Sequence, residues 1–241
     1  MSGAVHPDDK VNPLRVLVDV QRSPETQRQE VPGSGLEPRM VLLRVWQSER
    51  LKITYADFLA DERSAPACQF FLSDVYAPQD FSQRDHDLVT LHGLLSRFIP
   101  APLLSLLADA IELNQLSYSL DTCLLDALVN QLGMVDEITT ALYAAGYRVC
   151  DNYTERVRQI DLMTRILREV GEGAGQPLVA ITLKAARLPA QRFGWQDLHD
   201  FLVRGHAAFR RLGRKNELAS TIQVREMRIL DKIFAGETEP F

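Results

Sequence analysis

From Met40 onward, apolar residues return every three or four positions almost to the C-terminus, the period of an α-helix with one buried face. The first such segment covers about 40–60. A second is expected over 65–77, with Ser64 as N-cap and Pro66 in the first turn, where its missing N–H costs nothing. A third starts after Ser82 and ends near Phe98, before Pro100; Leu88, Leu91, Leu95 and Ile99 form its inner face. Pro102 opens a long segment to about Leu132 with apolar residues on two sides, Leu103, Leu107 and Ile111 on one and Leu113, Leu116 and Leu120 on the other. Such a helix is either central to the fold or bent near 114–119. Asp136 caps a fifth helix reaching Tyr147. The sixth, over 154–170, sets Val157, Ile160, Leu167 and Val170 against Arg158, Asp161, Arg165 and Arg168 on the opposite face, and the run Gly171 to Gly175 ends it. Helices are also expected at 177–188, 195–212 and 216–234. No strand pattern or solenoid-length repeat interrupts this series. The prediction is an all-α protein, a single multi-helical bundle of eight or nine helices over 40–235.

The first 39 residues read differently. Pro7, Pro13, Pro24, Pro32 and Pro38 punctuate a polar stretch, and its one short apolar run, Leu14 to Val20, has no evident partner. Such a segment buries too little surface to offset the entropy of ordering it. It is expected to be a flexible N-terminal arm, with Met40 a candidate translation start, and residues 236–241 a loose C-terminal tail.

Composition narrows the function classes. With 46% hydrophobic and 24% charged residues, the chain has the balance of a globular protein. A net charge of -5 argues against nucleic acid or an anionic membrane as partner. No apolar run approaches the roughly 18 residues of a membrane span, and MSGAVHPDDK has no signal-peptide pattern, which places the protein in the cytoplasm. Cys68, Cys123 and Cys150 are odd in number and widely spaced, so neither a disulfide framework nor a thiolate zinc site is expected. Charge is segregated: residues 51–140 hold thirteen acids and four bases, and 182–235 eleven bases and five acids. Either the basic segment, centred on Arg210, Arg211, Arg214 and Lys215, faces an anionic partner, or the two halves pack together and partly neutralise. The second reading is preferred, because helix surfaces are charged by default.

Catalytic signatures are missing. The histidines, His6, His86, His92, His199 and His206, lack the carboxylate spacing of a di-iron bundle and the pairing of a helical zinc site. The G-x-G-x-G at Gly171 follows a helix rather than a strand, which argues against a dinucleotide loop. No P-loop and no nucleophile elbow occur. No metal and no cofactor are expected, and the balance leans away from an enzyme.

Polar residues on apolar helix faces carry more information. Arg84, Asp85 and His92 project toward the inner face of the third helix. Leu218, Ile222, Ile229 and Ile233 flank Glu226, with Arg225 at the edge, while Asn114 and Asp121 interrupt the long helix. Asp74 sits among Phe70, Phe71, Leu72, Val75 and Tyr76, of which Phe70, Phe71, Leu72 and Tyr76 are expected at the centre of the core. A buried charge must be paired or shift its pKa. Asp74, Asp85 and Glu226 are therefore expected to meet Arg84, Arg156 or Arg225, with Arg84 or Arg156 holding Asp74. The candidate cluster is Asp74, Tyr76, Asp80, Arg84, Asp85, Arg156, Gln159 and Glu226. It serves either as an ion-pair network that docks the helices, the preferred reading, or as a ligand or catalytic site.

The same residues carry a family resemblance. Phe70-Phe71-Leu72-Ser73-Asp74-Val75-Tyr76, followed by Asp80-Phe81 and Arg84-Asp85, resembles the signature of an uncharacterised bacterial family named for its FFLEELY motif. The similarity continues through Arg44-Val45-Trp46-Gln47, Thr54-Tyr55, Tyr143 with Tyr147, Arg156 to Ile160, Arg204-Gly205 and Arg225-Glu226, covering about 40–235. Ser73 replaces the first motif acid, Asp74 shortens the second, and His206 stands where an aromatic is expected. The resemblance implies an all-helical bacterial protein and no reaction. Together these readings point to a non-enzymatic helical protein that binds a protein partner or a small-molecule ligand, with homo-oligomerisation open. The alternative is an enzyme or a metal- or haem-binding protein built on the buried Asp/Glu/Arg/His cluster.

Overall fold

The computed structural model describes residues 38–75, 101–194, 196–212, 215–237 and 239–241. Among these residues the chain is all-α, with nine α-helices and no strand. They are α1 (Pro38–Thr54), α2 (Ala56–Ala60), α3 (Ala65–Phe70), α4 (Ala101–Asp126), α5 (Thr140–Cys150), α6 (Tyr153–Gly173), α7 (Pro177–Phe193), α8 (Gln196–Arg210) and α9 (Lys215–Phe234). The predicted helix over 82–98 lies outside the described residues, as does the arm up to residue 37. No described helix is long and apolar enough to cross a membrane.

Boundaries moved where tertiary contacts outweighed local signals. α4 runs without a break through 114–119, and its irregularity comes at the end, where Ala127–Gln131 winds as a π-turn closed by Leu132 N–H donating to the Ala127 carbonyl at 3.0 Å. The fifth helix is capped by Thr139, not Asp136: Thr139 Oγ1 accepts from Leu142 N–H at 3.2 Å. Buried Ile138 pulls the chain inward just ahead of that cap. α7 passes Pro189, where an end was expected, because Ala190 is fully buried, and it stops at Gly194, whose φ of 81° is the left-handed conformation glycine adopts most readily.

Two apolar clusters hold the bundle. One gathers Leu43 of α1, Leu124 and Leu128 of the α4 end, Tyr143 and Ala144 of α5, Ile160 of α6, and Ile229 and Ile233 of α9. The other gathers Ala67 and Cys68 of α3, Met163 and Leu167 of α6, Phe209 of α8, and Leu218 and Ala219 of α9. The first half of α6 thus meets the second half of α9, and the reverse holds in the other cluster. The two helices run antiparallel and form the spine of the fold. α5 approaches α4 so closely that a Cβ at Gly146 would lie 2.7 Å from Leu124 Cδ1.

Two expectations about packing are corrected. Phe70, Phe71 and Leu72 are only half-buried and flank the second cluster instead of occupying the core centre. Phe70 packs on Phe201 and Phe209, with ring centroids 5.2 and 6.2 Å away. The motif winds as a π-turn over Phe71–Val75, which shifts its side chains out of the register of α3, and α3 itself packs on α8. The tail expected to be loose is seated: Pro240 is buried, and the Phe241 ring lies 5.8 Å from Trp46 and 6.0 Å from Tyr143. The platform that receives it, Trp46 stacked on Tyr143 at 4.2 Å, exists only once α1 and α5 have met.

Candidate functional site

Polar side chains converge inside the bundle, where α1, α4, α5, α6 and α9 face one another around a cavity of about 60 Å3. α1 contributes Gln47 and Arg50, which follow Leu43 by one and two helical turns and so point the same way. α4 contributes Ser117 and Asp121, α5 Tyr143 and Tyr147, α6 Arg156 and Gln159, and α9 Glu226. Phe241, 40% exposed, lines the cavity where it meets solvent, and the Arg50 guanidinium lies 5.5 Å from its ring centroid.

The strongest contact is at Glu226. Arg50 Nη1 donates to both carboxylate oxygens, at 2.7 and 2.9 Å, and Tyr55 Oη donates to Oε1 at 2.8 Å. The side chains of Arg50 and Glu226 are each 12% exposed. Burial works against the Arg50 cation, but the Glu226 charge, with Tyr143 and Tyr147, more than offsets it and holds the guanidinium charged. Burial, then the Glu226 charge, raises the Tyr55 pKa far above its ordinary value. The neighbouring Arg225 clasps Asp57 with both terminal nitrogens, at 2.8 and 2.6 Å, and donates to the Thr54 carbonyl at 2.9 Å. Consecutive residues of α9 therefore fasten the α1–α2 corner.

A second network crosses the cavity. Gln47 Nε2 donates to Asp121 Oδ1 at 3.0 Å. Burial raises the Asp121 pKa, opposed by the Arg156 charge and the Gln47 hydrogen bond. Arg156 donates to the Leu120 carbonyl and to Gln159 Oε1, each at 3.2 Å, and its guanidinium lies 4.1 Å from the Tyr147 ring centroid. Gln159 Nε2 donates to Ser117 Oγ at 2.8 Å, and the Tyr143 and Tyr147 hydroxyls share a hydrogen bond of 2.9 Å. Gln47 Oε1 and Arg50 Nε are buried with no hydrogen-bond partner among the described residues.

Of the candidate residues, the fold brings Arg156, Gln159 and Glu226 together. Asp74 lies elsewhere, held by Arg204 through Nε at 2.8 Å and Nη2 at 2.7 Å, with Ser73 Oγ at 2.8 Å on its other oxygen. The expected partners are thus corrected. Among the described residues Arg204 holds Asp74, Glu226 pairs with Arg50, and Arg225 pairs with Asp57, because packing α3 on α8 and the α1–α2 corner on α9 sets the neighbours, while the expected pairing of Asp74 with Arg84 falls outside the described residues. Tyr76, Asp80, Arg84 and Asp85 lie outside the described residues. The candidate cluster left out Gln47, Arg50, Tyr143 and Tyr147, although Gln47, Tyr143 and Tyr147 stand in the stretches that carry the family resemblance. Gln47 was findable: it sits between Leu43 and Leu51 in an apolar stripe of α1, the same kind of signal that marked Glu226 on α9. Arg204–Asp74 and Arg225–Asp57 also join the basic C-terminal half to the acidic half, so part of the segregated charge is neutralised internally.

Among the described residues no three His, Cys, Asp or Glu side chains gather as a metal site would require. What the chamber offers is a polar hollow with two guanidinium groups, two carboxyl groups, two tyrosine hydroxyls and unsatisfied donor and acceptor atoms. A protein-family model described as "Domain of unknown function (DUF8198)" matches residues 26–240, beginning upstream of Met40. No curated protein matches the chain, and no solved structure does.

Proposed function

The chain belongs to the DUF8198 family, and from that premise we propose a non-enzymatic helical binding protein whose interior chamber takes a small anion of the carboxylate class. One observation carries this reading: a cavity of about 60 Å3 flanked by the Arg50 and Arg156 guanidiniums, with Arg50 Nε and Gln47 Oε1 left without partners among the described residues. Buried polar groups are ordinarily satisfied, and those that are not point to a bound water or ligand. Because burial raises the Asp121 pKa, every proton it keeps leaves the chamber with more cation than carboxylate. The volume suits a ligand of a few heavy atoms and lies well below the roughly 300 Å3 where drug-sized sites begin.

Acetate, formate and bicarbonate are the probes. The side-chain Nε–H resonance of Arg50, assigned through Arg50→Lys, should shift and saturate with one of them at millimolar concentration. If all three leave it unmoved, the chamber holds only water, and its network serves to dock α1 and α2 on α9. The proposal extends to the setting: residues 40–235 as the working domain, 1–39 as an arm, the cytoplasm as location, and the FFLEELY-marked bacterial proteins as the same family.

A further inference from the structure

A second hollow, of about 490 Å3, lies between α7 and α8. It is built by two facing stripes. Ala180, Lys184, Arg187 and Gln191 recur at helical spacing along α7, and His199, Val203, His206 and Arg210 do so along α8. The volume is that of a small-molecule site. Its cations are Lys184, Arg187 and Arg210, and its one acid, Asp200, lies 3.2 Å from the His199 ring. His199 is buried, and its Nε2–H donates to the Leu183 carbonyl at 2.9 Å, which fixes the ring as wall.

What sets this groove apart is that three cations gather in it. Arg50, Arg158, Arg165, Arg204 and Arg225 each hold a carboxylate in another part of the chain. Lys184, Arg187 and Arg210 hold none among the described residues, yet they converge on one hollow. Like charges gathered in a concave surface repel one another and focus a positive field, and a bound anion relieves both effects. Two guanidiniums and an ammonium suit phosphate oxygens, which arginine can grip with paired N–H donors. Ala180, Leu183 and Val203 offer apolar wall to an organic moiety. A bounded groove on a chain of net charge -5 favours a compact ligand over an extended polyanion.

We propose that the groove between α7 and α8 is a binding site for a small phosphorylated organic molecule. Adenosine monophosphate, glucose 6-phosphate and inorganic phosphate are titrated calorimetrically into the full chain at 0.15 M salt, with adenosine and glucose as uncharged controls. Vesicles containing phosphatidylserine are tested separately by sedimentation. At least one ester should bind with a submillimolar Kd, its uncharged parent should not, and R187Q/R210Q should weaken binding at least tenfold with an unchanged melting temperature. These side chains are exposed and hold no carboxylate among the described residues, so their loss leaves the core intact. Three results overturn the proposal: no ester binds, inorganic phosphate binds as tightly as the esters, or the double variant binds as well as the parent. Vesicle binding without ester binding assigns the groove to a membrane surface and overturns it too.

Discussion

Glu226→Gln tests whether the interior network is packed as described. The carboxylate accepts two contacts from Arg50 Nη1 and one from Tyr55 Oη, all at or below 2.9 Å. Breaking a buried pair by removing one partner costs about 3–5 kcal/mol, because the other charge is stranded. Each side chain keeps 12% exposure at the chamber edge, so water relieves part of the loss, and the lower end, about 3 kcal/mol, is expected. For a chain of this length that lowers Tm by roughly 6–12 °C. Arg50→Met should cost a similar amount. The double variant Arg50→Met with Glu226→Gln should cost about 2 kcal/mol less than the two singles together, since no uncompensated charge remains. Arg204→Gln, which breaks a pair whose arginine is 55% exposed, should cost about 1 kcal/mol or less. Urea unfolding of all four variants, at unchanged m-value, gives the cycle. A Glu226→Gln cost below about 1 kcal/mol, or strictly additive singles, would refute the claim that the pair is buried and fastens α9 to the α1–α2 corner.

Asp121 gives a pH prediction. Its pKa is raised by burial, so the native state holds that proton more tightly than the unfolded chain. Its contribution to stability is therefore greatest below the unfolded carboxylate value of about 4 and is lost as pH rises through the folded value. Asp121→Asn should flatten that part of the urea-midpoint profile, and an unaltered slope would rule the assignment out. Gly146→Ala should destabilise despite alanine's helix propensity of about 1 kcal/mol, because the new methyl meets Leu124 at 2.7 Å inside a fully buried layer; a raised Tm would contradict the close approach of α4 and α5. Burial pushes the Cys68 thiol up to about 11 and, with help from Cys123, the Cys150 thiol up to about 12. Native-state alkylation at pH 8 should spare both until urea is added, as mass spectrometry would read out.

The apolar period along the chain determined a great deal by itself. It specified an all-α protein and the approximate spans of α6, α8 and α9, because helix formation answers to residues three and four apart on the same chain, while the single helix expected over 40–60 is divided at Tyr55 into α1 and α2. It also marked Glu226 and Asp121 as polar intrusions into buried stripes, since a buried face is legible from one helix alone. Which charges meet was not legible. Arg50 and Glu226 are 176 positions apart, and Asp74 and Arg204 are 130 apart. Their pairing follows from the antiparallel spine of α6 and α9 and from the packing of α3 on α8. Close approach, as at Gly146, and the seating of Phe241 on Trp46 and Tyr143 likewise arise only after distant helices have docked. Local sequence sets which face of a helix is buried; the shape of the neighbour sets what that face touches.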